Sequence, residues 1–77
     1  MKTLQVFGPG CARCRLLSER AQAAARELGL EVRVEKVTDL DALLAAGITV
    51  TPALAVDGAI KVMGRVPTVD HLRRLIG

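Results

Sequence analysis

The hydrophobic period of the chain changes at the tripeptide Gly8-Pro9-Gly10, from about two residues before it to three or four after it. Lys2 to Phe7 alternates loosely and is β-compatible, with Leu4 and Val6 on one face and Gln5 and Phe7 on the other. Gly-Pro-Gly cannot continue a strand, so it forces a sharp loop. Beyond it, Leu17, Ala21, Ala24, Ala25 and Leu28 recur on one face of a helix expected over Ala12 to Leu28. Gly29 suits the residue just past the helix end, and Leu30 can cover its last turn.

The rest of the chain is punctuated as clearly. Glu31 to Val37 alternates strictly, with Val32, Val34 and Lys36 on one side and Glu31, Arg33, Glu35 and Val37 on the other. One largely charged face predicts an edge strand. Thr38 is expected to cap a short helix with Asp39 and Asp41 in its first turn and Leu40, Leu43 and Leu44 as its apolar face, ended by Gly47. Thr51-Pro52 precedes a short apolar strand, Ala53 to Val56. Asp57-Gly58 predicts a type I′ hairpin returning through Ala59 to Met63. Gly64 breaks that strand. Thr68 caps a last helix whose buried face is Val69, Leu72, Leu75 and Ile76, with Pro67 placed to pack on Leu72. The expected order is β-α-β-α-β-β-α. The first β-α-β is a right-handed parallel crossover, and the hairpin extends the same sheet antiparallel. The reading is an α/β fold with a four-stranded mixed sheet and helices on both faces.

At 77 residues, this is one domain spanning 1–77, with a thin core. Phe7 is its one aromatic residue, so aliphatic side chains must make the interior, and an apolar content of 51% excludes disorder. The longest apolar run, Ala42 to Ala46, is far short of the roughly 20 residues a membrane span needs. Met1 to Phe7 lacks the apolar centre of a signal peptide. A cytoplasmic protein that engages no membrane, monomeric in solution, is expected. Eleven Lys/Arg against eight Asp/Glu leave a net charge of +3, with the signs interspersed. There is neither a basic run nor an aromatic on which a base could stack, so nucleic acid is not an expected partner.

Cys11 and Cys14 are the only cysteines, spaced Cys-x-x-Cys at the start of the first helix. As a structural staple the pair would do little, because so short a loop removes little unfolded-state entropy. At a helix start, unpaired N–H groups and the helix dipole favour an anion. A thiolate is such an anion, and it is the form that attacks a disulfide. Cys11 is therefore the expected nucleophile and Cys14, one turn on, its more buried partner. Three residues are about one helical turn, so the two sulfurs can meet without unfolding the helix. Gly10, Ala12 and Arg13 are the positions expected to tune the nucleophile's pKa, and Arg13, with Arg15 beyond, adds positive charge that favours its thiolate. The rival reading is metal binding by the same two cysteines. Two thiolates leave zinc unsatisfied, and the lone His71 lies in the last helix, so a metal would need a dimer or a two-coordinate ion such as Cu(I). Pro52, ahead of an internal strand, is either an ordinary trans proline or a cis one presenting backbone to a ligand.

Taken together, these motifs resemble the thioredoxin-like superfamily, and the likeness runs over nearly the whole chain. It is strongest to the glutaredoxin-sized proteins of the redox-active disulfide protein 2, or thioredoxin-3, type. The residues that carry it are Gly8-Pro9-Gly10-Cys11-Ala12-Arg13-Cys14, Val37-Thr38-Asp39, Gly47-Ile48-Thr49-Val50-Thr51-Pro52-Ala53-Leu54, Asp57-Gly58 and Gly64-Arg65-Val66-Pro67. The resemblance implies a thiol–disulfide oxidoreductase with no cofactor beyond the Cys11–Cys14 disulfide. It implies Cys11 as nucleophile, Cys14 as resolving cysteine, and Pro52 as a cis-proline facing them. Thr51 would offer its backbone to an extended substrate segment, and Gly64 would allow close approach. The implied partners are a protein disulfide and an upstream reductase. The chain departs from thioredoxins in having Gly10 where they carry Trp and Ala12-Arg13 where they carry Gly-Pro. Gln5 replaces their buried acid six residues before the first cysteine. The Pro-Tyr and charged glutathione clamp of glutaredoxins are also lacking.

Overall fold

The computed structural model describes residues 1–10 and 12–77. In chain order the elements are β1 (Lys2–Phe7), α1 (Ala12–Glu27), β2 (Val32–Val37), α2 (Leu40–Ala45), β3 (Ala53–Val56), β4 (Ala59–Met63) and α3 (Val69–Ile76). One four-stranded sheet runs in the order β2-β1-β3-β4. β1 pairs parallel with β2 and antiparallel with β3, and β3 pairs antiparallel with β4. This is the expected β-α-β-α-β-β-α order, with the charged strand β2 at one edge. The other edge, β4, carries an irregularity opposite Leu54/Ala55, where Lys61 is the extra residue. A bulge of this kind discourages edge-to-edge pairing.

Two clusters divide the core across the sheet. On one face Leu4, Val6, Leu54, Val56 and Val62 meet Leu17, Ala21 and Ala24 of α1 and Leu72 and Ile76 of α3. The alanines keep the α1 surface low, so α1 lies close to the strands and to α3. Leu4, Leu17, Leu54, Leu72 and Ile76 are almost wholly buried, and each contributes roughly 1.5–3 kcal/mol on leaving water. On the other face Phe7, Ala53 and Ala55 meet Leu43 of α2 and Ile48, with Val37 against them. β3 is therefore buried along its whole length, with bulky residues toward α1 and α3 and alanines toward the small helix.

The helix ends follow local chemistry. Gly29 and Leu30 donate back to Arg26 and Ala25 at 3.0 Å each, the paired bonds of a Schellman motif, with Gly29 at φ +69°. Gly47 and Ile48 close α2 the same way onto Leu44 and Leu43, and Ile48 is then driven into the core. Thr68 caps α3 by accepting from the His71 N–H. Asp57 and Gly58 both have positive φ, as a type I′ turn requires. Asp57 also ties the turn to β1, its carboxylate accepting from Thr3 N and its own N–H donating to Thr3 O.

Two expectations for α2 are corrected. Its cap is Asp39, not Thr38: the Asp39 carboxylate accepts from Ala42 N at 3.3 Å. Either residue has a suitable side chain, and the one adjacent to Leu40 holds the position. Leu40 and Leu44 do not share a buried face with Leu43; they are 67% and 63% exposed. A helix of six residues resting on two alanines can turn only one leucine inward. α1 also ends one residue earlier than expected, leaving Leu28 outside it.

Candidate functional site

The site lies where β1 and β2 end and α1 begins. Ala12 and Arg13, on the first turn of α1, are exposed, and Cys14 is buried, with 4% of its surface exposed. Cys11, the expected nucleophile, lies outside the described residues. Cys14 is buried because α1 turns that side toward the sheet, as it does Leu17 and Ala21.

Gly8 makes that burial fit. The residue is itself buried, and its N–H donates to Val37 O at 3.0 Å, continuing the β1–β2 ladder by one step. A Cβ built on Gly8 would overlap Cys14 Sγ, and would lie 3.5 Å from Cys14 Cβ and 3.7 Å from Thr51 Cβ. Gly8 is thus the contact point between the buried thiol and the segment entering β3. Its place in Gly8-Pro9-Gly10 marked it as a loop residue. Its packing against a sulfur six positions away required the fold to be known. Gly10, at φ +83°, has open space around its Cα, so the turn and not crowding is what calls for a glycine there.

On the opposite side, Thr51-Pro52 is a cis peptide bond, and Pro52 is fully buried at the start of β3. Its carbonyl accepts from Gly64 N at 2.8 Å. Gly64, at φ +79°, is pressed against Val50: a Cβ there would lie 2.7 Å from Val50 Cγ1. Arg13 reaches across from α1, its Nη2 donating to Gly64 O at 3.3 Å. The structure thereby joins Arg13, Gly64 and Pro52 in one line of hydrogen bonds. Sequence reasoning gave Arg13 an electrostatic role alone and did not foresee this bridge.

A small, partly open pocket of about 30 Å³ lies beside Cys14, lined by Val6, Gly8 and Gly10 together with Arg15, Lys36 and Thr38. Lys36 reaches it because it shares a sheet face with Val32 and Val34. On the reverse face Gln5 Nε2 donates to Glu35 Oε1 at 3.2 Å, and Glu35 also pairs with Arg33. The position where thioredoxins place a buried acid therefore holds an amide bonded to the carboxylate of the next strand. His71 is exposed on α3, and no group of three or more potential metal ligands is present among the described residues. No helix of the described residues is long and apolar enough to cross a membrane.

A four-stranded mixed sheet of this order, with a cysteine one turn into its first helix beside a cis-proline strand, defines the thioredoxin-like class of α/β proteins. Within that class the family is given by comparison. The thioredoxin-domain family matches residues 2–77. The chain is 41% identical over 76 residues to a thioredoxin of Methanothermobacter thermautotrophicus, covering 99% of both chains. It is 34% identical over 73 residues to a thioredoxin of Methanocaldococcus jannaschii, covering 95% of this chain and 84% of that one. The chain belongs to the thioredoxin family, whose members are thiol–disulfide oxidoreductases.

Proposed function

We propose that the protein reduces disulfides on partner proteins, with Cys11 as nucleophile and Cys14 as resolving thiol. The observation that carries this reading is the placement of Cys14, buried one turn into α1 against Gly8 and alongside the Thr51-Pro52 segment. A thiol so held is shielded from outside disulfides yet one turn from the residue it must reach.

In the reaction, the Cys11 thiolate attacks a substrate disulfide. A Cys11–substrate S–S bond forms as the substrate bond breaks, and the released sulfur takes a proton. Cys14, losing its proton, attacks Cys11 Sγ. The Cys11–Cys14 bond forms, and the second substrate sulfur leaves as a thiol. Two electrons pass to the substrate, and an upstream reductase restores the dithiol. The cysteine pair is the only redox group required. Thr51 offers backbone to an extended substrate segment and Gly64 keeps that approach open. Gly10, Ala12 and Arg13 neighbour the nucleophile in sequence and tune its pKa, with the positive charge of Arg13 favouring the thiolate. The working form is a cytoplasmic monomer.

The test is thiol trapping across a range of dithiothreitol ratios, paired with insulin-disulfide reduction by the Cys11→Ser variant. A reversible two-electron transition in the parent and loss of turnover in the variant are expected. Full activity in Cys11→Ser would reject the assignment of the nucleophile. Absence of a reversible disulfide, with stoichiometric Cu(I) or zinc uptake, would replace this reading by metal binding.

A further inference from the structure

The charges at the site end of the sheet are of nearly one sign. Four segments converge there: the β1–α1 turn, the end of β2 with Thr38, residues 49–52, and the stretch after β4. The exposed cations there are Lys36 and Arg65 of these segments, with Arg13 and Arg15 at the start of α1. The first turn of α1 has no acid. The nearest acids are Glu35, which lies on the reverse face of β2 and pairs with Gln5 and Arg33, and Asp39, whose carboxylate caps α2. The opposite end of the sheet is mixed, with Glu27, Glu31 and Asp57 among Lys2 and Arg26.

The cations flank the buried thiol on both sides. Arg15 and Lys36 line the pocket beside Cys14. Arg13 spans the other side to Gly64 O, next to exposed Arg65. That Arg13 bond is a single, exposed contact to a neutral carbonyl. A carboxylate is a stronger acceptor, with hydrogen bonds roughly twice as strong as neutral ones, and it can take a guanidinium in bidentate fashion. An incoming acid would therefore draw Arg13 off Gly64 and free the backbone edge that the arginine crosses.

We propose that this collar selects protein disulfides flanked by acidic residues, with Arg13 exchanging Gly64 O for a substrate carboxylate as the segment docks. The inference rests on the oxidoreductase reading and adds to it the chemistry of the preferred partner. Positive potential around the site raises the encounter rate of an acidic segment, and the effect falls as salt shortens the Debye length.

The test uses two peptides that share one intramolecular disulfide loop, with its cysteines flanked by aspartates and glutamates in one and by lysines and arginines in the other. Rates of reduction by the dithiol protein are divided by those with dithiothreitol, which removes each peptide's intrinsic reactivity. At about 20 mM salt the acidic peptide is expected to react roughly tenfold faster, and at about 0.5 M the two should approach parity. The Arg13→Gln/Arg65→Gln variant is expected to lose most of that ratio at low salt. A ratio below threefold in the parent, a ratio indifferent to salt, or one retained in the double variant overturns the inference. If both peptides are reduced at equal normalised rates, the inference alone fails. If neither is reduced, the oxidoreductase reading falls, and the inference with it.

Discussion

Replacing Gly8 by alanine adds one methyl group at the point where β1 touches the buried thiol. The new Cβ would overlap Cys14 Sγ, with Cys14 Cβ and Thr51 Cβ already at contact distance on its other sides. Non-bonded carbons settle at about 3.5–4.0 Å, so the sulfur must shift by roughly 1 Å or β1 must separate from α1. The backbone is poorly placed to yield, since Gly8 N is bonded to Val37 O and Phe7 is buried in the smaller core cluster. Overpacking of this kind costs about 1–3 kcal/mol. For a domain of this size each kcal/mol lowers Tm by roughly 4–8 °C, so a fall of about 8–16 °C is expected for a cost of about 2 kcal/mol. Thermal unfolding of the reduced protein, followed by circular dichroism, measures it. The same variant should alter the dithiol–disulfide equilibrium, because the Cys14 sulfur takes the closest contact with the new methyl group, and thiol trapping reads that directly. A Tm within 2 °C of the parent, with an unchanged trapping curve, would refute the claim that Gly8 sets the position of Cys14.

Two further substitutions examine other parts of the fold. Leu43→Ala should lower stability by roughly 2 kcal/mol, because it empties the inward side of α2. Leu44→Ala, one position on and 63% exposed, should change it by less than about 0.5 kcal/mol; urea midpoints of the two variants compared side by side decide the matter. Gln5→Asp, which restores an acid where thioredoxins carry one, here removes the amide donor to Glu35 and sets two carboxylates together. A loss of about 1 kcal/mol is expected, partly recovered in 0.5 M salt, and an unchanged midpoint would show that the Gln5–Glu35 bond contributes nothing.

The elements and their order were legible because each boundary carries a local cause. Gly29 and Gly47 end helices in the left-handed conformation, Asp57-Gly58 turns a hairpin, and Thr68 caps α3. These are effects of a few adjacent residues, which a sequence displays directly. α2 was misread where the answer depended on distance. Whether Leu40, Leu43 or Leu44 is buried is set by how few residues β3 offers beneath so short a helix, and neither the spacing nor the propensity of α2 contains that. The choice of Asp39 over Thr38 as cap was a one-residue matter between two competent side chains.

The site divides along the same line. The Cys-x-x-Cys spacing, the Gly-rich approach and Thr51-Pro52 could be read from the chain. The overlap of position 8 with Cys14, the reach of Arg13 to Gly64 and the arrival of Lys36 beside the thiol all join residues from separate elements. Gly8 and Gly64 show why such positions are difficult to recognise. Gly8 was expected to be a loop glycine, whereas Gly64 was expected to break β4 and, by the resemblance alone, to allow close approach; Gly64 does hold a positive φ. Each is also confined by a side chain from elsewhere, Cys14 in one case and Val50 in the other. Conformational freedom accounts for a glycine wherever the chain turns. Lack of room accounts for it only where two elements meet, and at Gly8 and Gly64 those elements bring together the buried thiol, the Thr51-Pro52 segment and the end of β4. The residues that close the sheet against α1 are thus the ones that shape the approach to Cys14, so a substitution made to fill space here alters the chemistry and the fold through the same contact.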